Sequence, residues 1–189
     1  MHRLFVALRP PPAVRVPMSG VMGGIDGARW QDDEQLHLTL RFIGEVTAAV
    51  ADDLTIALSR VFAVAPALSI AGVGRFEKRG RTDTLWAAIA SAETLAAMHR
   101  KVDRACVAVG LPPEGRAYHP HVTLARLSRA GHDEAQVGAW LVRHAALSSA
   151  SFVPSHLILY ESNPGREGAT YEPVMRWPLG TVETPDGSQ

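Results

Sequence analysis

The chain has 189 residues, 47% hydrophobic and 20% charged, which excludes wholesale disorder and fits one domain or two small lobes sharing a core. Its formal net charge is zero. That argues against a long duplex footprint, which needs a basic surplus, but leaves room for a small site for one nucleotide or an RNA end.

In chain order, residues 3–8 read as a strand cut off by Pro10-Pro11-Pro12, and 13–21 admit a short helix. Residues 36–43 alternate like a strand that Gly44 ends, and Thr47 caps a helix over 48–63. Residues 68–76 and 83–90 form a hairpin around a basic turn at 77–82. Ser91 caps a second helix through Val109, which Gly110 and Pro112 stop. A strand at 121–127, a helix at 133–146 and strands at 152–161 and 171–177, joined by an Asn-Pro-Gly loop, complete the chain. Strand pairs mixed with helices make the class α+β. The lone Cys106 excludes an intrachain disulfide and reads as intracellular. There is no signal-peptide pattern, and no stretch of ~20 apolar residues to cross a bilayer. The tail from 181 to 189 is polar.

Two tetrads carry the chemistry: His37-Leu38-Thr39-Leu40 and His121-Val122-Thr123-Leu124. On a strand the side chains alternate, so each His shares a face with its Thr while the apolar pair points into a core. In each half of the chain such a strand precedes a helix and a strand pair, which suggests a duplication. Two such strands facing one cleft supply a neutral imidazole to deprotonate water and an imidazolium to protonate a leaving oxygen. They also supply two hydroxyls for phosphate oxygens. A His on a strand is more often merely packed or exposed than catalytic. This composition, however, yields only about 0.2 such tetrads by chance, so the pair stands above that background.

These residues resemble the two-histidine (2H) phosphoesterase superfamily, and within it the RNA 2',3'-cyclic phosphodiesterases once named 2'-5' RNA ligases. The likeness includes RLFVALRPP at the start, LHLTLRFIGEV at 36–46, GVGRFEKRGRTDTLWAAI at 72–89, YHPHVTLARL at 118–127 and LILYESNPGREGATYEPVMRWPL at 157–179. It implies two pseudo-symmetric α+β lobes within residues 1–180, built of antiparallel sheet and helices with the cleft between them. It also implies metal-free, cofactor-free hydrolysis of a 2',3'-cyclic phosphate on RNA or a nucleotide to a 2'-phosphomonoester. In that reading His37 donates a proton to the departing 3' oxygen, His121 accepts one from water, and Thr39 and Thr123 bind phosphate. The residues alone leave donor and acceptor open. Relatives often carry Arg where His119 stands, and His119 would hold phosphate only when protonated.

Arg126 is assigned to phosphate or ribose by the resemblance, yet strict alternation turns it away from His121 unless a bulge or the cleft edge turns it back, and a surface salt bridge is the alternative. Arg41 shares the parity of His37 and Thr39, which allows it to reach the cleft. A solvated charge is the bland alternative. Phe42 falls on the Leu38 and Leu40 face and reads as core. Arg75, Lys78, Arg79 and Arg81 form a basic hairpin tip that could touch RNA backbone. Tyr118 and Cys106 read as packing residues, and His99, His132, His144 and His156 as having no chemical role. Two rival functions remain. One is a zinc hydrolase built on His119 and His121, for which no third ligand is evident. The other is a module that binds RNA ends without turnover; ligation through the same two histidines is a variant of the main reading. No membrane or protein partner is implied, and the chain reads as a cytoplasmic monomer.

Overall fold

The first strand, β1 (His2–Leu8), buries Leu4, Val6 and Leu8 on one face and Phe5 and Ala7 on the other, and this two-sided burial sets the layout. The computed structural model describes residues 1–61, 63–90, 92–128, 131–165 and 168–180. After β1 come α1 (Pro12–Gly20), β2 (Ala28–Trp30), a 3-10 turn at Asp33–Gln35, β3 (Leu38–Val46) and α2 (Ala48–Ser59). Then follow β4 (Ser69–Lys78), β5 (Arg81–Ala90), α3 (Ala92–Ala108), β6 (His121–Leu127), α4 (Glu134–His144), β7 (His156–Gly165) and β8 (Gly168–Pro178). The class is α+β, as the strand pairs and helices of the sequence imply.

The strands form one antiparallel sheet in the order β4-β5-β6-β3-β1-β7-β8, with the short β2 added to β6. The two histidine strands, β3 and β6, are thus central neighbours. The hairpin that follows β3 in sequence lies beside β6, and the hairpin that follows β6 lies beside β1. Each half therefore walls the strand of the other. All four helices bury residues in one apolar cluster with a single sheet face: Met18 of α1, Leu54 of α2, Val102 of α3 and Trp140 of α4 meet Leu4, Leu38, Val122 and Leu85. Each fully buried Leu or Val contributes roughly 1.5–3 kcal/mol. Phe5, Ala7, Ile158 and Tyr160 form a separate cluster, set by alternation on the opposite face. No helix among the described residues is long and apolar enough to cross a membrane.

Local signals account for most element ends. The Thr47 side chain accepts from the Val50 N–H and caps α2, and Asp133 caps α4 through the Ala135 N–H. The predicted Ser91 cap and the tail at 181–189 lie outside the described residues. The Asn-Pro-Gly segment is not a loop. Asn163, Pro164 and Gly165 stay on the ladder opposite Thr170, Ala169 and Gly168.

Two β-bulges correct the parity argument. On β3 the pairing steps from Thr39 to Arg41 while β1 advances only from Ala7 to Val6, so Leu40 is an extra residue and the faces exchange beyond it. Arg41 is therefore turned inward and is 7% exposed, and Phe42, expected in the core, is 40% exposed beneath the Arg3 guanidinium. On β6 the pairing jumps from Thr123 to Ala125 opposite Trp86 and Leu85, so Leu124 is the extra residue. This returns Arg126 to the face of His121 and Thr123.

Candidate active site

His37 stands just before β3, and His121 opens β6. The two strands touch through one pair, Leu38 with Val122. Antiparallel neighbours of that pair set His37 across from Thr123 and Thr39 across from His121. The two histidines are then diagonal partners, with Cβ atoms on the order of 7–8 Å apart. The charge of His121 acts on His37.

The two rings are held by the same device. The His121 Nδ1–H donates to the carbonyl of His119 at 2.7 Å, and the His37 ring donates to the carbonyl of Gln35. Each partner lies two residues upstream. A carbonyl only accepts, so each bond fixes the tautomer and leaves the other ring nitrogen with a free lone pair. Gln35 is itself fixed by a capping box with Asp32 and by its side-chain amide, which donates to the Ala169 carbonyl of β8 at 2.6 Å.

Aromatic rings wall both histidines. Phe5, Tyr171 and Tyr160 stand 4.8, 5.0 and 6.0 Å from His37 between centroids. Phe76 and Trp86 stand 4.9 and 6.2 Å from His121. Gly74 lets the Trp86 ring lie flat, since a Cβ there would meet it at 2.2 Å. None of these five aromatics was singled out in the sequence. Their signal was parity: Phe5 alternates against the Leu4 and Val6 face, and Phe76 and Trp86 belong to strands that reach His121 only through tertiary pairing.

Burial lowers the His37 pKa to about 4, with smaller contributions from the charges of His121, Arg126 and Arg9, against the Gln35 carbonyl, which raises it. His121 is lowered as well, chiefly by burial, then by the charges of His119 and Arg126. Both shifts favour the neutral rings near pH 7. The charge of Arg126 acts on both, and its guanidinium donates to the Thr84 hydroxyl at 2.9 Å. The Thr39 and Thr123 hydroxyls make no hydrogen bond among the described residues.

Arg41 is not brought to this cleft. It pairs with Asp103 at 2.9 Å and Glu114 at 3.0 Å and donates to the Pro112 carbonyl at 2.6 Å, so it ties β3 to α3 and to the segment that leads into β6. Tyr118 packs on His99 at 4.4 Å and donates to the Thr39 carbonyl. Cys106 is buried in the core. His119 sets its ring edge against Trp86 at 4.9 Å, with its centroid 6.3 Å from that of His121. Among the described residues no group of three or more His, Cys, Asp or Glu gathers as a metal site.

A sequence model of the 2'-5' RNA ligase superfamily matches residues 23–166, a span that contains both histidine strands. An RNA 2',3'-cyclic phosphodiesterase of Geobacillus stearothermophilus is 30% identical over 160 residues, covering 84% of this chain and 49% of that protein. One of Aeropyrum pernix is 35% identical over 100 residues, covering 52% of this chain and 57% of that protein. The chain thus spans about half the length of these curated relatives. In fold it is similar to TT0787 of Thermus thermophilus, with a TM-score of 0.75, 21% identity and coverage of 95% and 99% of the two chains. It is also similar to E. coli LigT complexed with 3'-AMP, with a TM-score of 0.70, 21% identity and coverage of 94% and 98%. With a match that runs through both histidine strands, the chain belongs to the 2'-5' RNA ligase superfamily.

Proposed function

We propose that this protein hydrolyses 2',3'-cyclic phosphates at RNA or nucleotide ends to 2'-phosphomonoesters, by acid–base catalysis between His37 and His121 and without a metal or cofactor. The observation that carries the reading is the matched pair of imidazoles. Each has one N–H committed to a backbone carbonyl two residues upstream and the other nitrogen available for proton transfer, and both lie within the field of Arg126.

In the proposed reaction water attacks phosphorus opposite the 3' oxygen. The new P–O bond forms as the P–O3' bond breaks. His121 takes the proton of the water and His37 gives one to the departing 3' oxygen. The hydroxyls of Thr39 and Thr123, with Arg126 and His119, hold the non-bridging oxygens, where charge develops. Arg41 takes no part in this scheme. His37 as donor is the assignment that the family resemblance implies; burial pushes its pKa down to about 4, so its donor form depends on a proton gained in the reaction complex. It acquires that proton with the substrate, because an anion between the rings favours the charged form. We further read residues 1–180 as one domain of two lobes related by duplication, acting as a monomer in the cytoplasm.

The test is product identification. The purified protein is incubated with EDTA and a nucleoside 2',3'-cyclic phosphate, and phosphorus NMR assigns the product. A 2'-phosphomonoester supports the reading. A 3'-monoester, activity abolished by the chelator, or binding without turnover overturns it.

A further inference from the structure

The reaction just proposed leaves the basic tip of the β4–β5 hairpin without a role. Two of its four cations are committed inside the protein. Arg75 lies 2.7 Å from Glu77 and 3.7 Å from Glu134, and Arg81 donates to the His132 carbonyl at 2.9 Å. The side chains of Lys78 and Arg79, the outermost pair, have no ion-pair or hydrogen-bond partner among the described residues.

The base of this tip is firmly fastened. His132 is 8% exposed, and its two ring nitrogens face the Ser128 carbonyl at 2.7 Å and Glu134 Oε1 at 2.9 Å. Glu134 also accepts from the Thr82 N–H and hydroxyl, each at 2.8 Å. This network clamps β5 to the start of α4 just behind the turn. Cations on a clamped turn lose less conformational freedom on binding than cations on a loose loop.

The turn itself favours other residues. Arg79 and Gly80 have φ of 55° and 74°, the left-handed values of a two-residue hairpin turn. Arg79 is the only non-glycine residue in that region among the described residues. Gly or Asn suits the position better, so the arginine is kept at a conformational cost.

The strand aims these cations along the cleft. β4 runs from Gly74, opposite Trp86, through Phe76, 4.9 Å from His121, to Lys78. At about 3.3 Å per residue, Lys78 and Arg79 stand roughly 7–10 Å beyond Phe76. An RNA strand that leaves the histidine pair on the side of this hairpin would bring its preceding phosphates past these two residues.

We propose that Lys78 and Arg79 bind the phosphodiester backbone of an RNA strand upstream of its cyclic end, so that oligoribonucleotides are preferred over mononucleotides. The inference rests on the proposed function for where the RNA end lies.

The experiment compares the parent protein with the double variant Lys78→Gln, Arg79→Gly. Glycine relieves the left-handed turn, so the variant folds, as circular dichroism and thermal melting check. Two quantities are read: kcat/KM for a short oligoribonucleotide 2',3'-cyclic phosphate relative to a nucleoside 2',3'-cyclic phosphate, and the Kd of a fluorescent oligoribonucleotide bearing a 3'-phosphate. The variant lowers the kcat/KM ratio and raises the Kd, each by roughly three- to tenfold, and its log Kd against log salt slope falls by about 1.4, or ~0.7 per lost phosphate contact. An unchanged ratio with unchanged Kd and slope in a folded variant overturns the proposal. Should neither protein turn over, the hydrolase reading fails alone, and the Kd and its salt slope still decide whether the tip binds RNA.

Discussion

Leu38 and Val122 form the one cross-strand pair through which the two histidine strands meet, and both are buried in the helix-side core. Everything in the cleft is arranged about that contact. Each residue points its side chain away from the site, and its flanking neighbours, His37 and Thr39 on one strand and His121 and Thr123 on the other, point into it. The apolar half of each tetrad thus sets the spacing of the polar half.

From this arrangement His37→Ala and His121→Ala each lower kcat by roughly 10²–10⁴, the usual size of one lost proton transfer. Because the two act as a unit, the double variant falls little further than either single one. Binding of the 2'-monoester product persists through Arg126 and the threonines. Steady-state rates and product titration check this. A single alanine variant with parental turnover would remove that histidine from the reaction.

Arg41→Leu is expected to damage folding rather than chemistry. The substitution leaves Asp103, 18% exposed, without its guanidinium partner, and Glu114, 17% exposed, with only the longer 3.4 Å ion pair to Arg116. Removing one partner of such a buried group costs about 3–5 kcal/mol at full burial, and somewhat less here because the carboxylates retain water contact. Thermal melting should show a large fall, while kcat per folded molecule stays within a few-fold. A stable variant with strongly reduced kcat would instead return Arg41 to the cleft.

The contrast between Arg41 and Arg126 measures how far the sequence could be read. Both arginines follow a His-x-Thr-x run, and parity placed the first in the cleft and the second outside it. Both placements reverse, for one reason: an extra residue on each strand, Leu40 and Leu124, exchanges the faces beyond the threonine. A bulge inserts no distinctive residue, so alternation alone does not reveal it. The tetrads themselves were legible because the extra residue, Leu40 or Leu124, comes last in each, after the His and Thr have taken their common face. The Gln35 and His119 carbonyls were not legible, since backbone acceptors carry no sequence signal. The walls Phe76, Trp86, Tyr160 and Tyr171 arrive from hairpins distant along the chain.

Gly74→Ala tests the wall beside His121. The added methyl would lie 2.2–2.6 Å from three atoms of the Trp86 ring, so the indole must move. Overpacking of this kind costs roughly 1–3 kcal/mol. The displaced ring also loses its place against His119 and His121. A lower melting temperature, a shifted tryptophan emission and a reduced kcat are expected together. Parental values for all three would mean that the ring accommodates a methyl there and that the glycine is incidental.

The pH dependence follows from the sign of two shifts. Both histidines are lowered from 6.5, His37 to about 4, because burial first and neighbouring positive charge second disfavour the imidazolium. The proposed reaction needs one proton on the pair. In the free enzyme that singly protonated state forms only as pH falls below 6.5, and it is lost again near 4 when the second ring charges. The kcat/KM profile is therefore a bell on the acid side of 6.5, whose two limbs belong to the pair and not to either residue. Bound cyclic phosphate places a negative charge between the rings and raises both values, so the alkaline limb of kcat lies at higher pH than that of kcat/KM. Rates measured from about pH 4 to 9 at low and at saturating substrate separate the two profiles. A kcat/KM bell centred above neutrality would mean that the rings of the free enzyme are not held neutral by burial, and the assignment of His37 as a donor charged by its own substrate would fall with it.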